Sequence, residues 1–340
     1  MKHVLFLVLC PSLSFGQRSA NAQYAEVFIP SGKVVPPFLL PLNMSEYHDS
    51  HPEARTFLET SREFVKENTQ SGEAAGRFTS QSQQDVTIHR ILEYKKEGTF
   101  IDLAANEPVW LSNSRALERD HDWKGLCIEA NPYYLVALAL QRSCTVVNAA
   151  IADSIGHLKF RNPKSRNRGS AREGGLVGDG FDLKGGCAPG VCDEFDAHTV
   201  PLSVVLSELK DFPKRVDYFS LDIEGAEFIA MKSFPFETHR FTVMTVERPK
   251  VKLQDLLKHH GYRYVCDHGN FGDQMWVDNT IHVPTEKLLI RAGVTRVLPF
   301  GKKDWKKDGL RCDTHANHPG FRGDGELGAT IQSGSGSEAI

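Results

Sequence analysis

The chain has 340 residues, of which 40% are hydrophobic and 24% are charged, ordinary proportions for a soluble globular protein. Its formal net charge of −3 offers no basic surplus for nucleic acid or an anionic membrane surface, so neither is expected as a partner. Because no apolar run is long enough to cross a bilayer, no stable membrane span is predicted. The length suits one large domain or two small ones, and the sequence does not indicate an oligomeric state.

The amino terminus has the order of residues that is typical of a secretory signal peptide. Met1-Lys2-His3 is followed by the apolar run Val4–Cys10 and then by small residues, with Ala20-Asn21-Ala22 resembling a cleavage site. We therefore expect a signal peptide over 1–22 and a place in the secretory pathway, in the ER or Golgi lumen or outside the cell. A two-part plastid signal also fits, because Ser14-Phe15 precedes an acid-free segment that contains Arg and Ser.

Six of the seven cysteines would remain after removal of that peptide: Cys127, Cys144, Cys187, Cys192, Cys266 and Cys312. An even number in a secretory context permits disulfides, and Cys187 and Cys192, which share a Gly-rich loop, are the expected local pair. Cys127 lies in an apolar strand, where a buried thiol is expected. The cysteines and histidines lack a zinc spacing, so no metal site is predicted.

Residues 23–84 are predicted to form an irregular, partly helical extension and linker. Prolines disfavour helices and strands in the first part of this segment. In Ala54–Asn68 the apolar residues recur at the intervals of a helix face. A helix over Asp85–Lys95 opens the main domain, which we place at residues 85–285. The core pattern then fades, and residues 286–340 are predicted to form an extension that is disordered at its end.

From Thr99 the chain alternates strands, turns and helices, which predicts an α/β fold with a doubly wound, mostly parallel sheet. The apolar segments with the composition of buried strands are Thr99–Ala105, Gly125–Glu129, Thr145–Ala152, Val216–Ile223 and Phe241–Glu247. The last two predicted strands, Tyr262–Cys266 and Gln274–Val277, read as an antiparallel hairpin on the sheet edge.

Residues 161–197, rich in Gly, Arg, Asn and Asp, interrupt this order. They predict a long surface insertion, either a functional lid or a disordered loop. A short edge strand at Leu158–Phe160 is expected just before it. Between the first two main strands, Ser112-Asn113-Ser114 is expected to cap a helix.

Three of the predicted strands end in acid, at Asp102, at Glu129 and at the pair Asp222 and Glu224. The carboxyl ends of parallel strands lie on one rim, which is where open α/β sheets bind ligands. An acid at the end of the second strand, here Glu129, can accept both hydroxyls of a ribose. For Asp222 and Glu224 the alternative is that they cap the next helix or face water.

The loop after the first strand, residues 102–108, contains no glycine that would let a pyrophosphate approach the backbone. This argues against a dinucleotide and favours a cofactor without phosphates. S-adenosylmethionine, with its adenosine and its charged sulfonium amino acid, suits acids rather than helix amides.

Several short motifs carry a resemblance to a known family: Phe100–Asn106, Trp123–Pro132, Asp217–Glu227, Thr245–Glu247, Gly261-Tyr262 and Trp276-Val277. On these motifs, Thr99–Val277 resembles the FkbM-type methyltransferase domain of the class I, S-adenosylmethionine-dependent enzymes. The resemblance implies a seven-stranded sheet and methyl transfer, usually to a hydroxyl oxygen. The acceptor would be a sugar, another glycan or a small molecule.

The resemblance also implies roles for individual residues. Asp102 and Asn106 would line the methionine end of the cofactor, and Glu129 would hold the ribose. The full set of expected cofactor-binding residues is Asp102, Ala104, Asn106, Asn113, Glu129 and Asn148. The expected catalytic residues are Asp222 and Glu224, either of which could serve as general base, and more weakly Glu247. The alternative is a non-catalytic binding module on a degenerate methyltransferase fold. The missing glycines favour this alternative, whereas the intact acids favour an enzyme.

Overall fold

In the computed structural model the described residues are 24–29, 38–43, 59, 63, 79–163, 174–179, 181–185, 190–209, 211–268, 272–292 and 311–312. Several predictions lie outside them: the signal peptide at 1–22, nearly all of the helix at 54–68, the pairing partner Cys187 and the tail beyond 312.

The described strands, in chain order, are β1 (Tyr24–Ile29), β2 (Phe38–Asn43), β3 (Thr99–Leu103), β4 (Lys124–Ile128), β5 (Thr145–Val147), β6 (Ala150–Ile151), β7 (Gly156–Pro163), β8 (Gly175–Leu176), β9 (Cys192–Val200), β10 (Arg215–Leu221), β11 (Arg240–Val246), β12 (Tyr262–His268), β13 (Asp273–Asp278) and β14 (Arg311–Cys312). The described helices are α1 (Gln84–Ile91), α2 (Arg115–His121), α3 (Pro132–Gln141), α4 (Leu202–Glu208), α5 (Glu227–Met231), α6 (Val251–His259) and α7 (Thr285–Arg291). None of the helices in the described part of the chain is long and apolar enough to cross a membrane.

The main sheet confirms the predicted doubly wound, mostly parallel α/β architecture. Its strand order is β14-β12-β13-β11-β10-β3-β4-β5. Five neighbouring strands of this sheet are parallel to one another, namely β11, β10, β3, β4 and β5. Strand β13 runs antiparallel to both of its neighbours, β11 and β12, as the predicted hairpin requires. The two-residue β14 adds an eighth strand to the seven that the resemblance implies. After β3 the chain adds β4 and β5 on one side of β3, and it later places β10 on the other side. The topological switch point therefore lies between β3 and β10.

Strand β10 lies at the centre of the sheet because its apolar residues are buried on both faces. Tyr218, Phe219 and Leu221 are each at most 1% exposed. The Phe219 ring stacks on Phe241 of β11 with centroids 4.3 Å apart, and the Tyr218 hydroxyl lies 2.7 Å from Thr245 Oγ1. Burying each of these side chains contributes roughly 1.5–3 kcal/mol, which fixes the strand that carries the predicted acids.

The predicted strand Thr145–Ala152 is divided between two sheets. Its first part, β5, closes the edge of the main sheet, whereas β6 pairs with β9 in a second sheet of order β6-β9-β7-β8. The break falls at Asn148, whose side-chain amide donates hydrogen bonds to the carbonyl oxygens of Glu129 and Ala130 at 2.8 and 3.2 Å. The amide thus holds the end of β4, and the chain leaves the ladder at this point.

Much of the predicted irregular insertion at 161–197 is strand. The edge strand expected at Leu158–Phe160 extends over all of β7 and pairs antiparallel with β9 along its whole length. In β9 the inward-facing residues are Phe195, Ala197 and Thr199, with acids and a histidine between them. The period-2 pattern is therefore present, but the acids conceal it.

The chain also folds beyond Val283, where the sequence pattern fades. Helix α7 buries Leu288 and leads into Ala292, and both side chains join the core that contains Ile88 of α1. In the other direction, α1 ends at Ile91, four residues before the predicted Lys95.

The prediction that Cys127 is a free thiol is wrong. Cys127 of β4 forms a disulfide with Cys144, which immediately precedes β5. Strands β4 and β5 pair in a register that places Cys127 opposite Val146, so the two cysteines come together across the ladder. Cys192 and Cys266 are disulfide-bonded as well.

Candidate active site

A cavity of about 680 Å³ opens at the carboxyl ends of the parallel strands, beside the switch point between β3 and β10. Eight of the nine predicted site residues line it: Asp102, Ala104, Asn106, Asn113, Glu129, Asp222, Glu224 and Glu247. The ninth, Asn148, is not in the lining and instead braces the backbone at Glu129. The strand-end acids therefore share one cavity rather than separate surfaces.

Glu129 follows β4 directly, and two main-chain groups fix its carboxylate. Oε2 accepts the N–H of Asn106 at 2.8 Å, and Oε1 accepts the N–H of Asn131 at 2.7 Å. The residue is only 4% exposed. Burial raises its pKa to about 7, although the two N–H donors act in the opposite direction. The main-chain N–H of Ala130 also acts on the carboxylate, and since a carboxylate has about four lone-pair sites, the group can still accept a hydroxyl donor from a ligand in the cavity.

Asp102, the fourth residue of β3, belongs to a buried hydrogen-bond network. Its Oδ2 accepts the Ser114 hydroxyl at 2.5 Å, and Ser114 in turn accepts Arg142 Nη2 at 2.8 Å. Burial raises the pKa of Asp102, while Ser114 and the Arg142 charge oppose the shift. The segment 112–114, predicted to cap the following helix, has a different hydrogen-bond pattern from the one expected. The Ser114 hydroxyl donates to Asp102, and the Ser112 hydroxyl accepts the N–H of Arg115 at 3.1 Å.

The loop after β3 approaches β4 closely despite its lack of glycine. The N–H groups of Ala104 and Ala105 both reach the Ile128 carbonyl oxygen, at 2.9 and 3.1 Å. This geometry places Ala104 at φ 63° and Asn106 at φ 54°, in the left-handed region that glycine ordinarily occupies. Strained backbone of this kind concentrates at functional sites.

Asn113 contributes an unsatisfied acceptor to the cavity. Its Nδ2 donates to the Ser220 hydroxyl at 2.9 Å, whereas its buried Oδ1 has no hydrogen-bond partner among the described residues. A buried amide oxygen without a partner costs free energy unless a ligand donates to it. Its place in the lining therefore suits a ligand with an N–H or ammonium donor.

Three carboxyl groups meet at the ends of β10 and β11. Asp222 follows β10 and Glu247 follows β11, and their carboxyls share a hydrogen bond. Burial, reinforced by Glu247, raises the pKa of Asp222 well above its ordinary value. Glu224 is less buried, and desolvation together with Glu247 raises its pKa to about 6. Asp222 is therefore the better placed of the two to hold a proton, and Glu224 the better placed to accept one.

Arg248 is the cation that meets these acids. Its Nη2 lies 2.6 Å from Glu224 Oε2 and 2.7 Å from Glu247 Oε1. One oxygen from each of Asp222, Glu224 and Glu247 can be chosen so that all three lie within 4.8 Å of one another, a spacing at which three carboxylates can share one cation. The Arg248 guanidinium contacts two of these three carboxyl groups, Glu224 and Glu247.

Asp222 and Glu224 do not act as the caps that the alternative interpretation allowed. Glu227, in the first turn of α5, accepts the N–H groups of Gly225 at 2.9 Å and Ile223 at 3.3 Å. Glu227 thereby fixes the turn that carries the two predicted catalytic acids. Burial raises its own pKa to about 7.

The second sheet and the segment between β8 and β9 form one wall of the cavity. The apolar part of this wall is Phe160, Leu176 and Leu183, and Asp182 adds a carboxylate. Asp182, Arg248, Trp110 and Tyr134 lie in the lining but were not predicted as site residues. Arg248 adjoins the predicted Glu247, so its position was a usable signal, whereas no local pattern marks Asp182.

Residues 102–264 match the family model described as "Methyltransferase FkbM domain". No curated protein matches the chain. Among solved structures, the chain is similar to the precorrin-6y C5,15-methyltransferase from Geobacter metallireducens GS-15, at 14% identity over 58% of this chain and 86% of that one. The TM-score is 0.27, and a likeness at that level supports no conclusion about this chain.

The family match supports a methyltransferase, and the doubly wound sheet with a cavity at its switch point is consistent with that class. More particularly, the chain carries a methyltransferase FkbM domain across residues 102–264, which confirms the resemblance that its motifs carry.

Proposed function

We propose that the protein is an S-adenosylmethionine-dependent O-methyltransferase whose acceptor is a hydroxyl group of a sugar or another small molecule. The observation that carries the proposal is the convergence of Asp102, Glu129 and Asp222, from three different strands, on one cavity. The matched domain supports methyl transfer, and the acids support a cationic donor.

The residues of the cavity fit the proposed cofactor. The Glu129 carboxylate, fixed by two main-chain N–H groups, would accept the ribose hydroxyls. The unpaired Oδ1 of Asn113 would accept the ammonium group of the methionine end. The apolar side chains of Ile128, Ala149 and Ile151, also in the lining, would face the flat adenine base. The bound cofactor would supply an electrophilic methyl group on a positively charged sulfur.

The acids at the ends of β10 and β11 would serve the acceptor. Glu224 would be the general base, because it is ionised at neutral pH and exposed enough to reach a hydroxyl proton. Asp222 would keep its proton and donate a hydrogen bond, since burial and Glu247 raise its pKa. Most of the rate would come from holding the acceptor hydroxyl and the methyl group in line.

We also propose that the protein works in the secretory pathway. The disulfide between Cys127 and Cys144 supports this, because such bonds persist in oxidising compartments and are rare in the cytosol. A form of the protein expressed with its first 22 residues and recovered from culture medium without them would support the assignment; retention of those residues on a cytosolic protein would contradict it.

Calorimetric titration with S-adenosylmethionine tests the proposed function. Wild-type protein is expected to bind with a Kd on the order of micromolar, about −8 kcal/mol, and Glu129→Ala to lose at least a factor of ten. Glu286→Ala, an exposed carboxyl on α7 far from the lining, is the matched control and is expected to bind normally. Absence of binding by the folded wild type would favour the alternative of a non-catalytic module.

A further inference from the structure

The charges that line the cavity are strongly unequal. Among the described lining residues six are carboxylic acids: Asp102, Glu129, Asp182, Asp222, Glu224 and Glu247. Arg248 is the one basic side chain in that described lining. An anionic ligand entering the acceptor side would therefore meet repulsion unless a cation were free to pair with it.

The nearby cations are already paired. Arg248 Nη2 contacts Glu224 and Glu247 and lies 3.7 Å from Asp182 Oδ2. Lys250, two residues further on, places its Nζ 2.9 Å from Asp182 Oδ1. Asp182 is the carboxylate that lies near both cations, so its removal would release Lys250 and would leave Arg248 with two carboxylate partners instead of three.

The fold holds Asp182 in this place through its backbone. Its N–H donates to the Glu224 carbonyl oxygen at 3.3 Å. Gly225, at φ +94°, allows the approach: a Cβ added there would lie 2.4 Å from Asp182 Oδ1. The neighbouring Phe181 is buried in a cluster that includes Ala226. The backbone of Asp182 is thus fixed against the turn that carries the acids, although its partners Arg248 and Lys250 are partly exposed.

The wall beside Asp182 is apolar. Phe160, Leu176 and Leu183 face the same cavity as the carboxylates. A polyhydroxyl compound such as a sugar has both an apolar face, which such a wall can cover, and hydroxyl donors, which carboxylates accept. Phosphate, sulfate and carboxylate groups offer no apolar face, and their negative charge is repelled by the carboxylates.

We propose that Asp182 determines the charge selectivity of the acceptor site. Asp182 pairs with Lys250 and adds a third carboxylate beside Arg248, whose Nη2 is already held by Glu224 and Glu247. An anionic group therefore finds no unpaired cation in the described lining, so the methyl acceptor is an uncharged hydroxyl compound. The effect of Asp182 on anion binding does not depend on any activity of the protein. That the methyl acceptor is uncharged rests on the proposed function.

Titration with inorganic phosphate, followed by calorimetry, tests the role of Asp182. The wild type is expected to bind only weakly, whereas Asp182→Asn is expected to bind at least about tenfold more tightly, because Lys250 is released and Arg248 loses one of its three carboxylate neighbours. Adding Lys250→Gln to Asp182→Asn is expected to remove the gain. Asp179→Asn, an exposed aspartate on the same segment and outside the lining, is the matched control and is expected to behave as wild type.

The inference is overturned if the wild type binds phosphate as tightly as Asp182→Asn, if neither Asp182→Asn nor Asp182→Ser gains binding, or if the gain survives Lys250→Gln. Titration of the same samples with S-adenosylmethionine separates this inference from the proposed function. Cofactor binding without the phosphate gain refutes the role of Asp182 alone, and the phosphate gain without cofactor binding refutes the proposed function alone.

Discussion

Glu129 and Asn106 join the ends of two parallel strands: the Glu129 carboxylate accepts the Asn106 main-chain N–H at 2.8 Å. This contact ties the loop after β3 to the acid after β4, so both sides of the proposed cofactor site move together. It also fixes an acid whose pKa is raised to about 7 by burial.

Cofactor affinity is predicted to depend on the ionisation of Glu129. The ionised carboxylate accepts ribose hydroxyls on both oxygens, whereas the protonated acid accepts fewer, so the affinity rises as the pH passes upward through about 7. We expect S-adenosylmethionine to bind up to about tenfold more tightly at pH 8 than at pH 6 by calorimetry. In Glu129→Gln, which does not titrate, the affinity is expected to be weaker and flat over that range; an unchanged pH dependence in that variant would exclude Glu129 as its source.

Stability is predicted to fall as the pH rises, in part because of Glu227. Its pKa is raised by burial to about 7 in the folded state, from an ordinary value of 4.5. The contribution of this group is therefore fully present below pH 4.5 and is lost as the pH rises through about 7. Glu227→Gln keeps the acceptor for the Gly225 N–H and cannot ionise, so it is expected to be more stable than wild type at pH 8 by roughly 1–3 kcal/mol, and not at pH 4.

Urea denaturation at the two pH values measures the Glu227 effect. Glu286→Gln, at an exposed carboxyl, is the control and should change neither value by more than about 0.5 kcal/mol. Equal effects of Glu227→Gln at pH 4 and pH 8 would show that its origin is packing rather than ionisation.

Ala104→Gly is predicted to stabilise the protein. Ala104 has φ 63°, and an alanine in this left-handed conformation costs roughly 1–2 kcal/mol more than a glycine. After allowance for the greater freedom of glycine in the unfolded chain, we expect a gain of about 1 kcal/mol by chemical denaturation. Ala105→Gly is the matched control: Ala105 is buried and lacks a positive φ, so its replacement should destabilise. A loss of stability in both variants would contradict the strain at Ala104.

Removal of the Cys127–Cys144 disulfide is predicted to destabilise the domain. The two cysteines are 17 residues apart, and a loop of about that size corresponds to about 3 kcal/mol in the chain-entropy account of cross-links. Because both side chains are buried, replacement of both by alanine also loses packing. The double variant should therefore unfold at a clearly lower urea concentration; wild-type stability would show that the bond contributes nothing.

The central part of the fold and the acid rim could be predicted from the sequence. Continuous apolar runs identify the buried parallel strands, and the rule that their carboxyl ends share one edge brings Asp102, Glu129 and Asp222 together. That inference needs only the strand ends and the direction of the strands. It does not depend on exact element boundaries, several of which differ from the predicted ones by a few residues.

The remainder depends on contacts between segments far apart in the chain. The acids in β9 conceal its period-2 pattern, so the second sheet was missed, and with it the approach of Asp182 to Lys250 across 68 residues. The Cys127–Cys144 bond follows from the register of β4 on β5, which composition does not specify. Arg248 was within reach of sequence reasoning, because a cation beside a predicted catalytic acid is a local signal.

A crystal structure of the protein grown with S-adenosylhomocysteine tests the central claim most directly. We expect the nucleoside product in the cavity at the switch point, with its ribose hydroxyls on the Glu129 carboxylate and its sulfur turned toward the side of Asp222 and Glu224. Density for the product elsewhere on the protein, or an empty cavity in crystals grown at saturating concentration, would contradict the account.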